Sequence, residues 1–326
     1  MYILAVIEII PILVPVKFDL KTVNFYLIKQ NKSLTLIDGG YNDEQCWNAL
    51  ISTLENNNLQ LRDLTEIILT HHHVDHVGLV DRIVSKHPIP VYASPLSIPR
   101  LKRDKAFFEM RVEFFSNLYR SNDCGEKGEK QIAYLHKAIR NNQKKAMQAD
   151  VIGITEPTLL NFEVIQVPGH APDQLAFLDK TGNQLIAGDL LIEHISSNAL
   201  VEPDEHGNKL PSLIQHNDSL SKCMSLNVDR VYSGHGKIIN NPNPLIKKRL
   251  ERTEEKAERL LNQIKSGITT ANGLAEVNYK KIYEQQFSLV MSEIIGHLDY
   301  LEHKQKIQKD LLHGIWQYSV TSACKI

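Results

Sequence analysis

The chain has 326 residues, 42% of them hydrophobic and 23% charged, which is the composition of a globular protein and not of a disordered or fibrous one. This length fits one large domain, or a large domain joined to a smaller one. The formal net charge of −1 removes any global electrostatic argument for nucleic acid or an anionic membrane as a partner.

The N-terminal segment Met1–Val16 is apolar, but it lacks the features of a signal peptide. It has no basic start, it carries Glu8 and Pro11 within the apolar run, and no small-residue cleavage site follows. It is also too short and too interrupted for a membrane span. Its β-branched residues predict an edge strand of the mature protein, broken at Pro11.

Cysteine usage favours a reduced compartment. Cys46, Cys124, Cys223 and Cys324 are scattered and form no CxxC pair. We therefore expect free thiols in a cytoplasmic protein, and no cysteine metal site.

The first zone, up to residue 98, alternates short strands with one helix. Thr22–Ile28 and Ser33–Ile37 are predicted to form a hairpin around the turn Gln30–Lys32. Apolar residues at helical spacing predict a helix over Asn42–Asn57, and a short apolar run predicts a strand at Glu66–Leu69.

The second zone, residues 99–150, changes to long helical patterns such as Phe107–Phe115 and Ile132–Met147. Because it lies between two strand-rich zones, it is expected to be an inserted helical cap. Its aromatic residues fall at helical spacing and are expected to form the core of the cap or a homodimer contact, with the lining of an acyl-chain site as the alternative. This aromatic cluster comprises Phe107, Phe108, Phe114, Phe115 and Tyr119.

The same zone is basic, with 12 Lys and Arg against 7 Asp and Glu. These charges are expected to form a solvated face, although they would also suit an anionic substrate such as a CoA or glutathione thioester. They include Arg100, Lys102, Arg103, Lys105, Lys144 and Lys145.

The third zone, residues 151–243, returns to strands, and the last zone is mostly helical. The predicted strands are Phe162–Val167, Leu175–Leu178, Gln184–Ala187 and Val228–Tyr232, with a turn at Thr181–Asn183 between the second and third. After the Asn240–Pro244 breaker, a charged helix is predicted at Leu245–Ser266, and a strand at Leu311–Val320.

The segment Thr70–Gly78 carries the strongest chemical signal. It holds four histidines and one aspartate within six residues, directly after a predicted strand. Imidazole nitrogens with a carboxylate oxygen suit Zn²⁺, and also Mn²⁺ or iron. Residues two apart in an extended loop can share one ion, so His71 and His73 form one pair, while His72 points away. The alternative is a histidine-rich surface loop with incidental metal affinity.

Three further metal-competent residues occupy similar places. His170, Asp189 and His235 each follow a predicted strand through a glycine that permits a tight turn. Loops at strand ends converge on a rigid scaffold, so these side chains are expected to meet Thr70–Gly78. The repetition of this pattern argues against the surface-loop alternative.

This set of motifs resembles the metallo-β-lactamase superfamily, in the hydrolase branch that contains glyoxalase II and the quorum-quenching lactonases. The resemblance covers residues 17–98 and 151–243, and Leu36–Gly40 also looks like an early strand and turn of that superfamily. The matching positions are the HxHxDH residues His71, His73, Asp75 and His76, and the later Gly169-His170, Gly188-Asp189 and Gly234-His235-Gly236.

The resemblance implies an α/β fold, an αββα sandwich with the site along one edge of its two sheets. It places a catalytic domain at 1–243, with the helical cap at about 99–150 inserted into it. The segment 244–326 resembles the small, helical, winged-helix-like domain found on some members. That segment has 13 basic against 10 acidic residues, too weak an excess to expect nucleic acid binding.

The resemblance also implies the ligand set of two divalent ions, with zinc expected and manganese or iron as alternatives. One ion would be held by His71, His73 and His170, and the second by Asp75, His76 and His235. Asp189 would bridge the two ions, and Asp38 would orient the ligand loops by hydrogen bonds.

The implied function is hydrolysis of an ester, thioester or lactone of a small, anionic or neutral metabolite by a metal-bridging hydroxide. Asp75 would be the catalytic residue that orients this nucleophile and passes its proton to the leaving group. Two alternatives remain open at this point. One is a phosphodiesterase or ribonuclease of the same fold, and the other is a metal-binding regulatory module.

One position departs from the lactonase pattern. Those enzymes place a tyrosine three residues after the bridging aspartate, where this chain has Ile192. His194 is a candidate replacement as an oxyanion donor, and the alternative is a histidine that is merely structural.

Overall fold

The computed structural model describes residues 7–17, 19–30 and 33–322. The chain divides into two compact units. The first, here called the sheet unit, comprises Met1–Lys102, Ala146–Ser197 and Ser219–Ile246. The second, the helical unit, comprises Arg103–Lys145, Asn198–Asp218 and Lys247–Ile326.

The sheet unit contains two six-stranded sheets, and in each of them neighbouring strands follow one another in sequence. The strands of the first sheet are β1 (Glu8–Pro15), β2 (Thr22–Gln30), β3 (Ser33–Ile37), β4 (Glu66–Ile68), β5 (Val91–Ala93) and β6 (Val151–Gly153). Those of the second sheet are β7 (Thr158–Leu159), β8 (Phe162–Gln166), β9 (Leu175–Asp179), β10 (Gln184–Gly188), β11 (Arg230–Ser233) and β12 (Ile239–Asn240).

Short helices connect these strands and cover them. The helices before the insertion are α1 (Glu44–Asn56), α2 (Val74–Val77), α3 (Val80–Lys86) and α4 (Ile98–Leu101), with single 3₁₀ turns at Leu61–Asp63 and Pro95–Ser97. Asp43 begins α1 because its carboxylate accepts the backbone N–H of Cys46, which caps the helix.

The side chains of β2 alternate between two hydrophobic cores, which shows how the layers of the fold pack together. Phe25 and Leu27 pack in the core that also contains Leu50 of α1. Tyr26 and Ile28, on the opposite face of the strand, pack in a core shared with the second sheet. Both faces of the strand are therefore buried, and the predicted αββα sandwich of two sheets flanked by helices is confirmed.

The first strand differs from its prediction in one respect. Within the described residues β1 lies at the edge of its sheet, as expected, and pairs antiparallel with β2 from Glu8 to Pro15. The predicted break at Pro11 is wrong, since pairing continues through it. An edge strand tolerates proline because one side of it has no ladder partner. The predicted turn at residues 30–32 lies partly outside the described residues.

The helical unit begins with the inserted helices and ends with the C-terminal ones. Its helices are α5 (Lys105–Ser121), α6 (Gly125–Asn142), α8 (Asn243–Lys265), α9 (Ala271–Tyr279) and α10 (Phe287–His303), with a 3₁₀ turn at Gln143–Lys145. Of α8, the part from Lys247 onward belongs to this unit. A helix that the sequence analysis did not predict, α7 (Ser212–Leu226), begins in this unit and ends in the sheet unit.

One core joins the insertion to the C-terminal helices. Phe115 and Tyr119 of α5 are buried in the same cluster as Leu274 of α9 and Ile294 of α10. Tyr119 also meets Phe287 edge to face at 4.9 Å between ring centroids. Part of the aromatic cluster therefore forms a core, as expected. The division into 1–243 and 244–326 remains a prediction about domains, and the compact units follow different boundaries.

Residues 307–320 form a hairpin, so the prediction of one strand at Leu311–Val320 is wrong. Strand β13 (Ile307–Leu312) pairs antiparallel with β14 (Ile315–Val320). The turn lies at His313-Gly314, where both residues have positive φ (51° and 81°), as a tight two-residue hairpin loop requires. Among the described helices, none has the length and apolar character that a membrane crossing needs.

Candidate metal centre

All seven residues predicted from the sequence as metal ligands come together in the sheet unit. Their positions follow from strand direction. Strands β3 and β4 are parallel, as are β10 and β11, so their carboxyl ends lie at common edges. The donor-bearing loops start at these ends and after β8. The donor atoms form three groups, each with its atoms within 4.8 Å of one another: His71, His73 and His170; His71, His76 and Asp189; and Asp75, His76 and His235.

The first candidate position consists of imidazoles. The His73 Nδ1 atom lies 2.9 Å from His71 Nε2 and 3.0 Å from His170 Nε2. A tetrahedral zinc ion with bonds of about 2.1 Å separates its ligand atoms by about 3.4 Å. These nitrogens are therefore already near the spacing that one ion would impose.

The second candidate position mixes carboxylates with imidazoles. The His235 Nε2 atom lies 3.4 Å from Asp75 Oδ2 and 3.1 Å from Asp189 Oδ2. The other oxygen of Asp189, Oδ1, lies 3.4 Å from His76 Nε2. Asp189 Oδ2 is also 3.4 Å from His170 Nε2 in the first position. One carboxylate is thus within reach of both positions.

In the first position, hydrogen bonds behind the rings fix which nitrogen faces the centre. The Thr70 hydroxyl donates to Asp38 Oδ2 and therefore accepts from His71 Nδ1 at 3.0 Å. This leaves His71 Nε2 with its lone pair toward the other donors. The His170 Nδ1 atom lies 3.0 Å from the Ser197 hydroxyl, a contact that keeps the ring with Nε2 toward the centre.

In the second position the outward-facing ring nitrogens also form hydrogen bonds, but with a carboxylate and a backbone carbonyl in place of hydroxyl groups. His76 Nδ1 donates to the carboxylate of Asp38 at 2.8 Å, and His235 Nδ1 donates to the backbone carbonyl of Thr22 at 2.8 Å. Asp38 also accepts the backbone N–H of Thr70 at 2.8 Å, so it links the loop after β3 to the histidine-rich loop after β4. The orienting role predicted for Asp38 agrees with these contacts.

The pKa values of the histidines shift in opposite directions in the two positions. Burial, reinforced by neighbouring imidazoles, holds the pKa of His71 and His73 well below the ordinary value, so both rings are neutral. Burial also disfavours the charged form of His76, but the carboxylates of Asp189 and Asp38 outweigh it and raise the pKa well above the ordinary value. Burial would raise the pKa of Asp189, yet His76 and His235 hold it well below its usual range.

Close packing around Asp189 depends on two glycines. A Cβ atom at Gly234 would lie 2.2 Å from Asp189 Oδ1, and one at Gly188 would lie 2.9 Å from the Thr70 hydroxyl. Gly188 also has φ +49°, a left-handed conformation that favours glycine. These strand ends can approach the donor atoms only because they carry no side chain.

Two buried atoms at the centre have no hydrogen-bond partner among the described residues: His76 Nε2 and Asp189 Oδ1. Buried polar atoms are rarely left in this state, and a cation would satisfy both. Together with the ring nitrogens that face inward and the mixture of nitrogen and carboxylate donors, this observation indicates that the residues fit divalent metal ions.

Comparison with known proteins agrees with this geometry. Residues 19–235 match the model of the metallo-beta-lactamase superfamily. The probable metallo-hydrolase YqjP of Bacillus subtilis (strain 168) is 31% identical over 307 residues, which cover 92% of this chain and 94% of that protein.

The chain belongs to the metallo-β-lactamase superfamily.

More distant relatives and solved structures extend the comparison. A beta-lactamase-like protein 2 homolog of Drosophila melanogaster is 23% identical and covers 95% of this chain and 92% of its own length. The metallo-beta-lactamase family protein TTHA1429 from Thermus thermophilus has a TM-score of 0.76 at 21% identity, covering 97% of this chain and 98% of that one. A beta-lactamase domain protein from Burkholderia ambifaria has a TM-score of 0.74 at 17% identity, covering 97% and 92%. These two structures show the shared fold. As a member of the superfamily, the protein is a metal-dependent hydrolase.

His72 belongs to none of the three groups of donor atoms among the described residues, as its predicted outward direction requires. Its Nδ1 donates instead to the buried Asp173 carboxylate at 2.7 Å, and Ser97 donates to the other oxygen of Asp173 at 2.5 Å. Burial would raise the pKa of Asp173, but the His72 imidazole and the hydrogen bond from Ser97 hold it below its usual range. Asp173 therefore ties the superfamily's histidine loop to the loop that carries His170.

His194 does not have the geometry of an oxyanion donor. Its Nε2 donates to the backbone carbonyl of Asp19 at 2.7 Å, which leaves Nδ1 unprotonated in the neutral ring. That Nδ1 is buried and would lie 2.7 Å from a Cβ atom at Gly236, so it packs against the strand end. Of the two interpretations of His194, the structure favours the structural one.

Several supporting residues escaped the sequence analysis. Thr70 directly precedes His71, and Asp173 follows His170 by three residues, so their nearness to the motifs was a usable signal. Ser197 and the Thr22 carbonyl carried no such signal, because each is far in sequence from the histidine it holds.

Proposed function

We propose that the sheet unit binds two divalent metal ions and uses them to hydrolyse the ester, thioester or lactone bond of a small metabolite. In this proposal His71, His73 and His170 hold one ion, Asp75, His76 and His235 hold the second, and Asp189 contacts both. Zinc suits the imidazole position best, with manganese and iron as the alternatives that metal analysis must decide.

The observation that carries the proposal is the position of Asp189. Its two oxygens lie within 3.4 Å of histidines from both candidate positions, and its Oδ1 is buried without a hydrogen-bond partner among the described residues. A carboxylate whose two oxygens face imidazoles of both positions suits a ligand that the two positions share.

Two divalent ions held by these residues would supply a hydroxide nucleophile near neutral pH and would polarise the substrate carbonyl. The chain supplies orientation and proton transfer. Asp75 Oδ2 lies toward His235, so its second oxygen, Oδ1, can accept the proton of the attacking water and pass it to the leaving group. The rings are held rigidly by their outer hydrogen bonds, so little reorganisation accompanies the reaction.

An acyl substrate is favoured over a phosphodiester for two reasons. The basic excess of residues 99–150 is modest, and the C-terminal segment carries only 13 basic against 10 acidic residues. Neither is the electrostatic surface that a nucleic acid backbone requires. We further propose that the protein acts in the cytoplasm, which agrees with its free, buried thiols at Cys46, Cys124 and Cys223.

Metal analysis together with a substrate panel tests the proposal. Purified full-length protein should contain about two divalent ions per chain. It should turn over p-nitrophenyl acetate, an acyl-CoA or a lactone faster than bis-p-nitrophenyl phosphate. Turnover of the phosphodiester alone would overturn the acyl preference. Full metal occupancy without turnover of any of these would favour a metal-binding regulatory module.

A further inference from the structure

A cavity with a different lining lies within the helical unit. Helices α5 and α6 line much of a partly open cavity of about 200 Å³. Much of its lining is apolar and comes from both helices: Phe108, Val112, Leu135, Ala138 and Ile139. The volume is below the roughly 300–1,000 Å³ of common cofactor and drug sites, so any occupant is small.

Two arginines, Arg103 and Arg111, also line this cavity, and they differ in how their charge is used. The Arg111 guanidinium forms a two-bond ion pair with Glu202, in which Nε lies 2.7 Å from Oε2 and Nη2 contacts Oε1. It also lies over the ring of Phe115, at 4.8 Å from the centroid. The charge of Arg111 is therefore already neutralised by Glu202.

Arg103 has no carboxylate partner among the described residues. Its recorded contact is with the ring of Phe108, whose centroid lies 5.5 Å from the guanidinium carbon. Burial and the positive charge of Arg111 both lower the pKa of Arg103, and no acidic group offsets them. An anion bound beside this partly buried cation would offset both effects.

The backbone at Arg103 is also unusual. Arg103 follows α4 by two residues and has φ +54°, the left-handed conformation that favours glycine or asparagine after a helix. A non-glycine residue is disfavoured in this backbone conformation, yet here it carries the arginine side chain that lines the cavity. The nearby carboxylate of Asp104 accepts the backbone N–H of Phe107 and caps α5, and no ion pair joins it to Arg103 among the described residues.

We propose that this cavity binds a small amphipathic carboxylate, with its carboxylate on Arg103 and its hydrocarbon body among the apolar side chains of α5 and α6. The planar guanidinium matches a carboxylate with two parallel hydrogen bonds, and the Gln143 amide, which also lines the cavity, offers a further donor. A larger anion such as a nucleotide exceeds the volume. The proposal does not depend on the proposed hydrolytic function.

Calorimetric titration of the full-length, metal-free protein with octanoate tests this site. Removing the metal first prevents binding at the metal centre from contributing to the signal. Octanoate should bind, and 1-octanol should bind at least about tenfold more weakly, because a charge-assisted pair is lost. Equal affinity for the two would overturn the assignment to Arg103, as would the absence of octanoate binding.

Three variants locate the site. Arg103→Met should weaken octanoate binding by about tenfold to a hundredfold, while Arg103→Lys should retain part of the affinity. Lys137→Met, at an exposed lysine of α6 outside the cavity lining, is the matched control and should bind like the unmodified protein. Circular dichroism checks that each variant is folded. If Arg103→Met binds as tightly as Lys137→Met, the proposal is wrong.

Discussion

The two candidate metal positions lie side by side but are built from different chemistry. The first, formed by His71, His73 and His170, consists of imidazoles, and hydroxyl groups hold the rings of His71 and His170. The second adds the carboxylate of Asp75, and Asp38 polarises its His76. Neutral nitrogen donors favour zinc, whereas carboxylate donors also accept harder ions such as manganese. The two positions are therefore expected to differ in the metal they prefer and in how much their metal affinity falls when a nearby carboxylate charge is removed.

The largest effect is expected where the two positions meet. Replacing Asp189 by alanine removes the carboxylate that reaches both, so activity should fall by more than about a thousandfold and bound metal should drop below two ions per chain. Metal content by plasma emission and kcat/KM on the best substrate measure this change. Asp150→Asn, at an exposed aspartate of the same unit, is the control and should behave like the unmodified protein. Two ions retained in the Asp189 variant would exclude the bridging role.

The next largest effect should separate the positions. Asp75→Asn keeps the shape of the side chain but removes its charge, so kcat should fall by about a hundredfold or more while the imidazole position keeps its ion. Cobalt substitution followed by visible absorption distinguishes the two environments. Unchanged turnover with both ions bound would remove Asp75 from the proposed mechanism.

A smaller effect is expected behind the rings of the second position. Asp38→Asn weakens the bond to His76 Nδ1 and should lower metal affinity there by about tenfold to a hundredfold, with less change at the first position. Titration of metal-free protein with zinc, monitored by calorimetry, resolves two affinities. Equal weakening of both would show that Asp38 acts through overall stability, since it also holds the Thr70 loop.

The smallest effect is expected from the equivalent change behind the first position. Ser197→Ala removes a neutral hydrogen bond to His170 Nδ1, so metal affinity should fall by only about threefold to tenfold. The same zinc titration measures it, with Ser225→Ala, an exposed serine of α7, as control. A loss as large as that of Asp38→Asn would mean that the charge of the outer partner does not distinguish the positions.

Much of the fold could be predicted because its signals are local. Strands such as Ser33–Ile37 were predicted at their observed bounds, and most others were correct to within one or two residues. The helix Ser212–Leu226 was missed, because its apolar residues follow no strong periodic pattern. The C-terminal hairpin was predicted as one strand, because the turn His313-Gly314 lies inside an otherwise strand-like run.

The sequence by itself indicated the candidate donor residues, their order and the strand ends that carry them, since ligand type, glycine turns and strand periodicity are properties of short segments. Only the tertiary structure decided which nitrogen of each ring faces the centre. That choice depends on outer partners far away in the chain, as with Ser197 for His170 and the Thr22 carbonyl for His235. Tertiary structure also decided that the inserted helices share a core with the C-terminal ones, because apolar faces of separate helices find their partners only when the chain has folded.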